Sequence, residues 1–318
     1  MNSESQGLSG LKRVLGDLPG ARPGGPLCVV TAGIHGNEPA GVHALRRVFA
    51  TIAQGKVPLQ GRFVALCGNI AGLERNARFI SEDMNRVWSK ERVSALRASD
   101  PARDNSEQRE QRDMLAHIDA DLDDPHGKVT HLDLHSTSSI GPPFTVIAGP
   151  GASRAAANHL GVPLLLGLDS VIGGTLIEHM GNLGHSTVLI EGGQNDAPST
   201  IDHHESAVWL TLEFAGVVRS ADIPELDALK ARLLAGADGL PHELEIGYRH
   251  RLEPEEEFRM LPGYSNFDDV VEGQLLARSG PGFEIEVRAP WTGTLLMPRY
   301  QGQGLDGFFL GRRSTRAG

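Results

Sequence analysis

The 318-residue chain sets 30 Lys plus Arg against 40 Asp plus Glu, a formal net charge of −10, with 40% hydrophobic and 22% charged residues. This is an ordinary globular composition and excludes a disordered chain; the acidic balance argues against a nucleic-acid binder, which needs a basic face to neutralise phosphates. Length allows one large domain or two. Two cysteines, Cys28 and Cys67, cannot build a disulfide framework, and both fall in apolar runs. They read as buried thiols in a reducing compartment. No apolar run approaches the ~18 residues of a membrane-spanning helix. Met1 to Leu15 lacks the basic-then-apolar order of a signal peptide. The expectation is a soluble, cytoplasmic protein with no nucleic-acid or membrane partner.

In chain order, the Gly- and Pro-rich start up to Pro26 reads as a lead-in loop. Leu27 to Ala32 is a short apolar run bounded by turn residues, which suits a fully buried strand. Glu38 to Ala53 has helical apolar spacing, with Pro39 in the first turn. Arg62 to Cys67 is a second buried strand. Ser106 to Leu122 reads as an amphipathic helix with Ser106 as cap. Strand-like runs follow at Val129 to Leu134, Thr145 to Ala148 and Thr187 to Ile190, with helices at Asp202 to Val218 and Ile223 to Ala235. This alternation predicts an α/β fold with a mostly parallel sheet covered by helices. After Pro241 the pieces are short and strand-like, at Leu244 to Tyr248, Phe283 to Val287 and Gly293 to Met297. A β-rich C-terminal domain over 241–318, following a larger domain over 1–240, is therefore expected.

Four segments carry chemistry. In Gly33-Ile34-His35-Gly36-Asn37-Glu38, an imidazole and a carboxylate three residues apart on a turn can reach one point, a half-site for Zn²⁺. The alternative is a turn His followed by a helix-start Glu near the dipole. In His131-Leu132-Asp133-Leu134-His135, period 2 puts His131, Asp133 and His135 on one strand face. Only His135 lies at the strand's C-terminal end, where α/β sheets hold their ligands. It completes a His, Glu, His set with an open fourth position, as a catalytic zinc needs. Asp133 could support a ligand from behind or be a strand-buried acid bonded elsewhere. Arg78-Phe79-Ile80-Ser81-Glu82-Asp83-Met84-Asn85-Arg86 holds two guanidiniums and an amide, either a carboxylate clamp or surface arginines paired with Glu82 and Asp83. Finally, Val188-Leu189-Ile190-Glu191-Gly192-Gly193-Gln194 ends an apolar strand on an acid, a general base or a loop Glu.

Together these segments resemble the succinylglutamate desuccinylase and aspartoacylase family of zinc-dependent deacylases, relatives of the zinc carboxypeptidases. The resemblance rests on Gly-x-His-Gly-Asn-Glu at Gly33 to Glu38, Arg-x4-Asp-x-Asn-Arg at Arg78 to Arg86, Asp-Leu-His-Ser-Thr at Asp133 to Thr137 and Glu-Gly-Gly-Gln at Glu191 to Gln194. Leu296-Met297-Pro298 and Gly304-x-Asp306-Gly307-Phe308-Phe309 resemble the family's small β domain less sharply.

The resemblance implies a zinc carboxypeptidase-like α/β fold with a mixed, mostly parallel sheet and a small β-rich C-terminal domain. It implies a zinc-dependent hydrolase that cleaves the amide bond of a small N-acyl amino acid, with one Zn²⁺ per chain on His35, Glu38 and His135. Arg78, Asn85 and Arg86 would hold the substrate and Glu191 would be the general base. Arg86 is placed for either the tetrahedral oxyanion or a substrate carboxylate. The chain departs from aspartoacylase-like members at Gly181, where they carry an additional Arg that grips an acidic amino acid. A carboxypeptidase acting on short peptides would use the same metal ligands, although the added β domain of this family narrows access. A catalytically silent binding protein on the same scaffold is the rival from another class. The sequence is compatible with a homo-oligomer and does not select the acyl group.

Overall fold

A computed structural model describes residues 8, 10–54, 57–123, 126–149 and 151–313. Its strands are β1 (Val14–Leu18), β2 (Leu27–Ala32), β3 (Arg62–Cys67), β4 (Val129–Thr137), β5 (Phe144–Ala148), β6 (Leu164–Leu166), β7 (Ser186–Gln194), β8 (Glu243–Arg251), β9 (Phe258–Met260), β10 (Asp269–Val270), β11 (Leu275–Ser279), β12 (Ile285–Arg288), β13 (Gly293–Leu296) and β14 (Asp306–Arg313). The helices are α1 (Ala40–Ala53), α2 (Ile70–Glu74), α3 (Lys90–Ala98), α4 (Ser106–Asp123), α5 (Gly151–Leu160), α6 (Leu176–Asn182), α7 (Pro198–Phe214) and α8 (Leu226–Leu234).

Eleven strands form one sheet in the order β1-β3-β2-β4-β7-β5-β6-β8-β14-β13-β10, and β12-β11-β9 form a small antiparallel sheet. The central run β3-β2-β4-β7 is parallel, whereas β5 lies antiparallel to β7. This is the mixed α/β architecture that the alternating pattern predicts. Every residue of β2 is buried because alternate side chains enter different cores. Cys28, Val30 and Ala32 face one core with α1 and α7, while Leu27 and Val29 face a second with Trp88 and Met114. A strand covered on both faces cannot show polar alternation. Both cysteines are free, and burial pushes their thiols up to about 12, which makes them inert. No helix among the described residues is long and apolar enough to cross a membrane.

Two local expectations need correction. The lead-in loop contains β1, an edge strand antiparallel to β3. Arg13 beside it bonds the carbonyls of Cys67 and Gly68 and pairs with Glu110 and Asp113. That anchoring is tertiary and invisible in a stretch rich in Gly and Pro. The cap of α4 is Asn105 rather than Ser106: the Asn105 side chain accepts from the Gln108 amide while the Gln108 side chain accepts from that of Asn105. Such a reciprocal box satisfies two otherwise unpaired helix-start donors. After β8, the helical structure among the described residues is the 3₁₀ turn Pro281–Phe283. β8 itself pairs parallel with β6, so the large sheet continues into the C-terminal segment.

Candidate active site

The parallel strands end at one edge of the sheet, and β2, β4 and β7 deliver His35, His135 and Glu191 there. After β2 the chain turns sharply, with the Glu38 amide donating to the His35 carbonyl at 3.1 Å. Gly36 allows this turn to press on its neighbour: a Cβ there would lie 2.1 Å from the carbonyl carbon of Gly72. On β4, Leu132 and Leu134 enter the apolar core under α1 and α7. His131, Asp133 and His135 point to the opposite face, as period 2 requires.

His35, Glu38 and His135 are all buried, and one ligand atom from each lies within 4.8 Å of the others. His35 Nδ1 is 2.8 Å from Glu38 Oε1, and His135 Nδ1 is 3.0 Å from Glu38 Oε2. Each ring is tied behind by a second carboxylate: His35 Nε2 to Asp83 Oδ1 at 3.1 Å, and His135 Nε2 to Asp133 Oδ2 at 3.0 Å. Imidazoles that turn one nitrogen inward and fix the other on a carboxylate are oriented as metal ligands are. The set can hold a metal ion with an open position.

Burial works to raise Glu38, but the charge of His35 and hydrogen bonds from both imidazoles outweigh it and hold the group well below the usual carboxylate range. Burial likewise works to lower His135, and Asp133 with Glu38 pushes it well above the ordinary imidazole value. Below this layer, Thr31 Oγ1 donates to Asp133 Oδ1 at 2.5 Å and lies 3.0 Å from His131 Nε2, whose Nδ1 is 2.9 Å from Thr187 Oγ1. Asp133 thus supports His135 from behind.

Glu191 stands opposite His135 in the β4–β7 ladder. Its Oε2 is buried with no hydrogen-bond partner. Burial, reinforced by nearby Glu38, pushes the carboxyl up to about 8 against the pull of His135 and Arg78. Two residues of α7 hold the ends of β4 and β7. His204 Nε2 donates to the His135 carbonyl at 2.8 Å, and His203 Nδ1 lies 2.6 Å from the Gly192 carbonyl. Gly192 permits the contact, since a Cβ would lie 2.4 Å from His204 Nε2.

The arginines are not free. Arg78 reaches Glu38 Oε1 at 3.2 Å and forks onto Asp83 Oδ2 at 3.2 and 3.3 Å. Arg86 is 2.7 Å from Asp306 Oδ2, and Arg249 is 2.6 Å from Asp306 Oδ1. Asn85 Oδ1 accepts from the Leu176 amide at 3.0 Å, which leaves its amide nitrogen spare. One cavity is lined by Arg78, Asn85, Arg86, Glu191 and the His35–Glu38–His135 group. Arg299 and Asp306, from the C-terminal segment, line it too. The sequence motifs therefore converge; Asp83 is read from sequence only as a partner for surface arginines, His203 and His204 fit no ligand spacing and read as surface or structural, and Asp306, Arg249 and Arg299 have no assigned part. Asp83 and Asp306 lay within noted motifs; the other four had no local signal. His179 packs on Trp88 and does not line the cavity.

The buried histidines give a pH prediction. Burial pushes His131 and His204 down to about 4 from an ordinary 6.5. Both stay neutral in the fold while the unfolded chain protonates, so the stability they contribute is full above pH 6.5 and falls as pH drops toward 4. Buried Glu191, pushed up to about 8, and His135, pushed well above its ordinary value, tilt stability the opposite way, so the contribution of these histidines is read as the difference between wild type and variant in urea unfolding of metal-stripped protein between pH 7 and 4.5. His131→Gln should fall below wild type at pH 7 by more than at pH 4.5, and a gap unchanged with pH would contradict the assignment.

A sequence model of the succinylglutamate desuccinylase/aspartoacylase catalytic domain matches residues 24–219. The succinylglutamate desuccinylase of Serratia proteamaculans is 26% identical over 279 residues, 82% of this chain and 76% of the relative. That of Pseudomonas paraeruginosa is 39% identical over 70 residues, a match that spans only 22% of this chain and 21% of the relative. The solved structure of a succinylglutamate desuccinylase/aspartoacylase from Rhodobacter sphaeroides superimposes with a TM-score of 0.64 at 18% identity, covering 94% of this chain and 88% of the other. The first residues to point this way, Gly33 to Glu38 and Glu191 to Gln194, lie inside the matched segment, and the chain belongs to the succinylglutamate desuccinylase/aspartoacylase family.

Proposed function

We propose that the protein is a zinc-dependent amidohydrolase that releases the acyl group from a small N-acyl amino acid. The observation that carries this reading is the pair of imidazoles fixed by Asp83 and Asp133, both aimed at Glu38, with the unpartnered Glu191 Oε2 beside them. In this reading one Zn²⁺ is held by His35, Glu38 and His135, whose two nitrogen donors and one carboxylate suit it. Zinc there supplies Lewis acidity, polarising the scissile carbonyl and lowering the pKa of water.

Glu191 takes the proton of the attacking water and returns it to the departing amine nitrogen. A carboxyl pushed up to about 8 is poised for both steps, and a nearby dication favours its ionised form. Arg78, tethered beside Glu38, lines the cavity next to the ligand group and in this reading serves the developing oxyanion. The spare amide nitrogen of Asn85 and the Arg86 guanidinium receive the substrate carboxylate. Arg86 and Arg249 share the single carboxylate of Asp306, so one positive charge is left over for that substrate group.

We assign residues 1–240 to the catalytic unit and 241–318 to a β-rich unit that adds Arg299 and Asp306 to the cavity wall. The two free thiols suit a reducing cytoplasm. The test is steady-state hydrolysis of N-acetyl, N-succinyl and longer N-acyl amino acids beside short peptides. The reading expects N-acyl amino acids to exceed peptides in kcat/KM, with Arg86→Ala chiefly raising KM, about 10-fold or more for a lost charge-assisted pair. Faster peptide cleavage, or an unchanged KM in that variant, would contradict it.

A further inference from the structure

The geometry points to an apolar side-chain subsite on the amine side of the scissile bond: we propose that the enzyme prefers N-acyl amino acids with aliphatic or aromatic side chains over acidic ones. This rests on the deacylase reading and narrows it.

The polar groups of the site occupy one strip of the sheet face. In register, His135, Glu191 and Phe144 lie in one row across β4, β7 and β5, and Asp133, Leu189 and Val146 lie in the next. Residues two apart on one strand are neighbours on that face, so Leu189 and Val146 begin directly beside the base. Ile172, Ile177, Met297 and Phe309 continue this wall into the cavity. With Leu189 and Val146 they belong to one apolar cluster that surfaces in the active site.

Position assigns the wall to the amine side. Glu191 protonates the leaving nitrogen, and the carboxylate-holding Asn85 is bonded to Leu176, the residue next to Ile177. A substrate anchored at both points lays its α-substituent between them. One cation beside this wall is already engaged. Arg249, beside Ile172, uses Nε and Nη2 on Asp306 and Nη1 on the Val171 carbonyl. Arg299 lies near both Arg78 and Asp306, with one terminal nitrogen on the Gly302 carbonyl and a buried Nε without a partner, on the segment that reaches Ser138 and Asn37 through Tyr300 and Gln301.

Met297 gives a second, independent observation. It sits at φ +49, a conformation that a side chain like this one rarely adopts. The Asn266 side chain holds it there, accepting from the Met297 amide at 2.6 Å and donating to Thr137 Oγ1 at 3.1 Å. Backbone held this way beside a catalytic centre marks a side chain whose position matters.

An acidic side chain laid against Leu189, Val146, Ile172 and Ile177 would bury a carboxylate among apolar side chains, whereas each added methylene in an apolar pocket is worth about 10- to 200-fold in kcat/KM. The test compares N-acetyl and N-succinyl forms of Ala, Leu, Phe, Asp and Glu with the zinc-loaded enzyme. Leu and Phe should exceed Asp and Glu by at least about 100-fold in both acyl series, with Ala between them. Asp or Glu as the best substrate overturns the subsite and leaves the deacylase reading standing. Loss of all hydrolysis sinks the deacylase reading instead. Calorimetric binding of N-acetyl-leucine against N-acetyl-aspartate then still decides the subsite, and equal or tighter binding of the aspartate overturns it. Ile172→Arg, with its melting temperature checked, should narrow the Leu-to-Asp ratio at least about tenfold, one charge-assisted pair's worth. A ratio unmoved in a folded variant also overturns the proposal.

Discussion

Glu191→Gln is expected to lower kcat by about 10²- to 10⁴-fold while KM and bound zinc stay near their wild-type values. The amide keeps the shape of the carboxyl but cannot accept the water's proton. It also removes a group that burial pushes up to about 8. The rising limb of the kcat/KM profile that this carboxyl sets should therefore disappear in the variant. Because Glu191 Oε2 is buried without a hydrogen-bond partner, the substitution should not cost stability. A loop glutamate with only a structural part would give the opposite pattern, normal turnover with lower stability. A Glu191→Gln enzyme that retains more than about a tenth of wild-type kcat would sink the mechanism without touching the metal centre.

His135→Ala should have the other large effect, loss of both metal and activity. It removes one of the three proposed ligands, takes one of two imidazole partners from Glu38 and leaves the buried Asp133 without its imidazole. Asp133→Asn tests the support from behind: second carboxylates of this kind are worth about 10- to 100-fold in metal affinity or activity. The variant should therefore bind zinc more weakly but still bind it. An affinity equal to wild type would make Asp133 a packing residue only.

Much of this arrangement was legible in local patterns because the chemistry sits at strand ends. Period 2 placed His135 and Asp133 on one face of β4, and the short spacing from His35 to Glu38 put both side chains on one turn. The sequence could not choose between Asp133 as a support and as a strand-buried acid bonded elsewhere; its 3.0 Å contact with His135 Nε2 resolves that geometry. Asp83 looked like a surface partner for arginines, and it does pair with Arg78, yet it also fixes His35.

What stayed hidden depends on distant contacts. Arg86 meets Asp306 across 220 residues, and His204 reaches the His135 carbonyl across 69. No helical or strand period encodes such pairs. The antiparallel placement of β5 was equally unreadable, because an apolar pentapeptide fits either direction, and it is this strand that brings Val146 beside Leu189. The helix α6 was missed although Thr175 caps it by accepting from the Glu178 amide, a spacing that the sequence does display.

The central claim, a catalytic zinc on His35, Glu38 and His135, is tested most directly by zinc titration of chelator-stripped protein with hydrolysis read at each addition. The account predicts negligible turnover before zinc, a linear return of activity that reaches its plateau at one zinc per chain, and no return in His135→Ala. Full turnover of the stripped enzyme, or a His135→Ala variant that regains activity at the same stoichiometry, would contradict it.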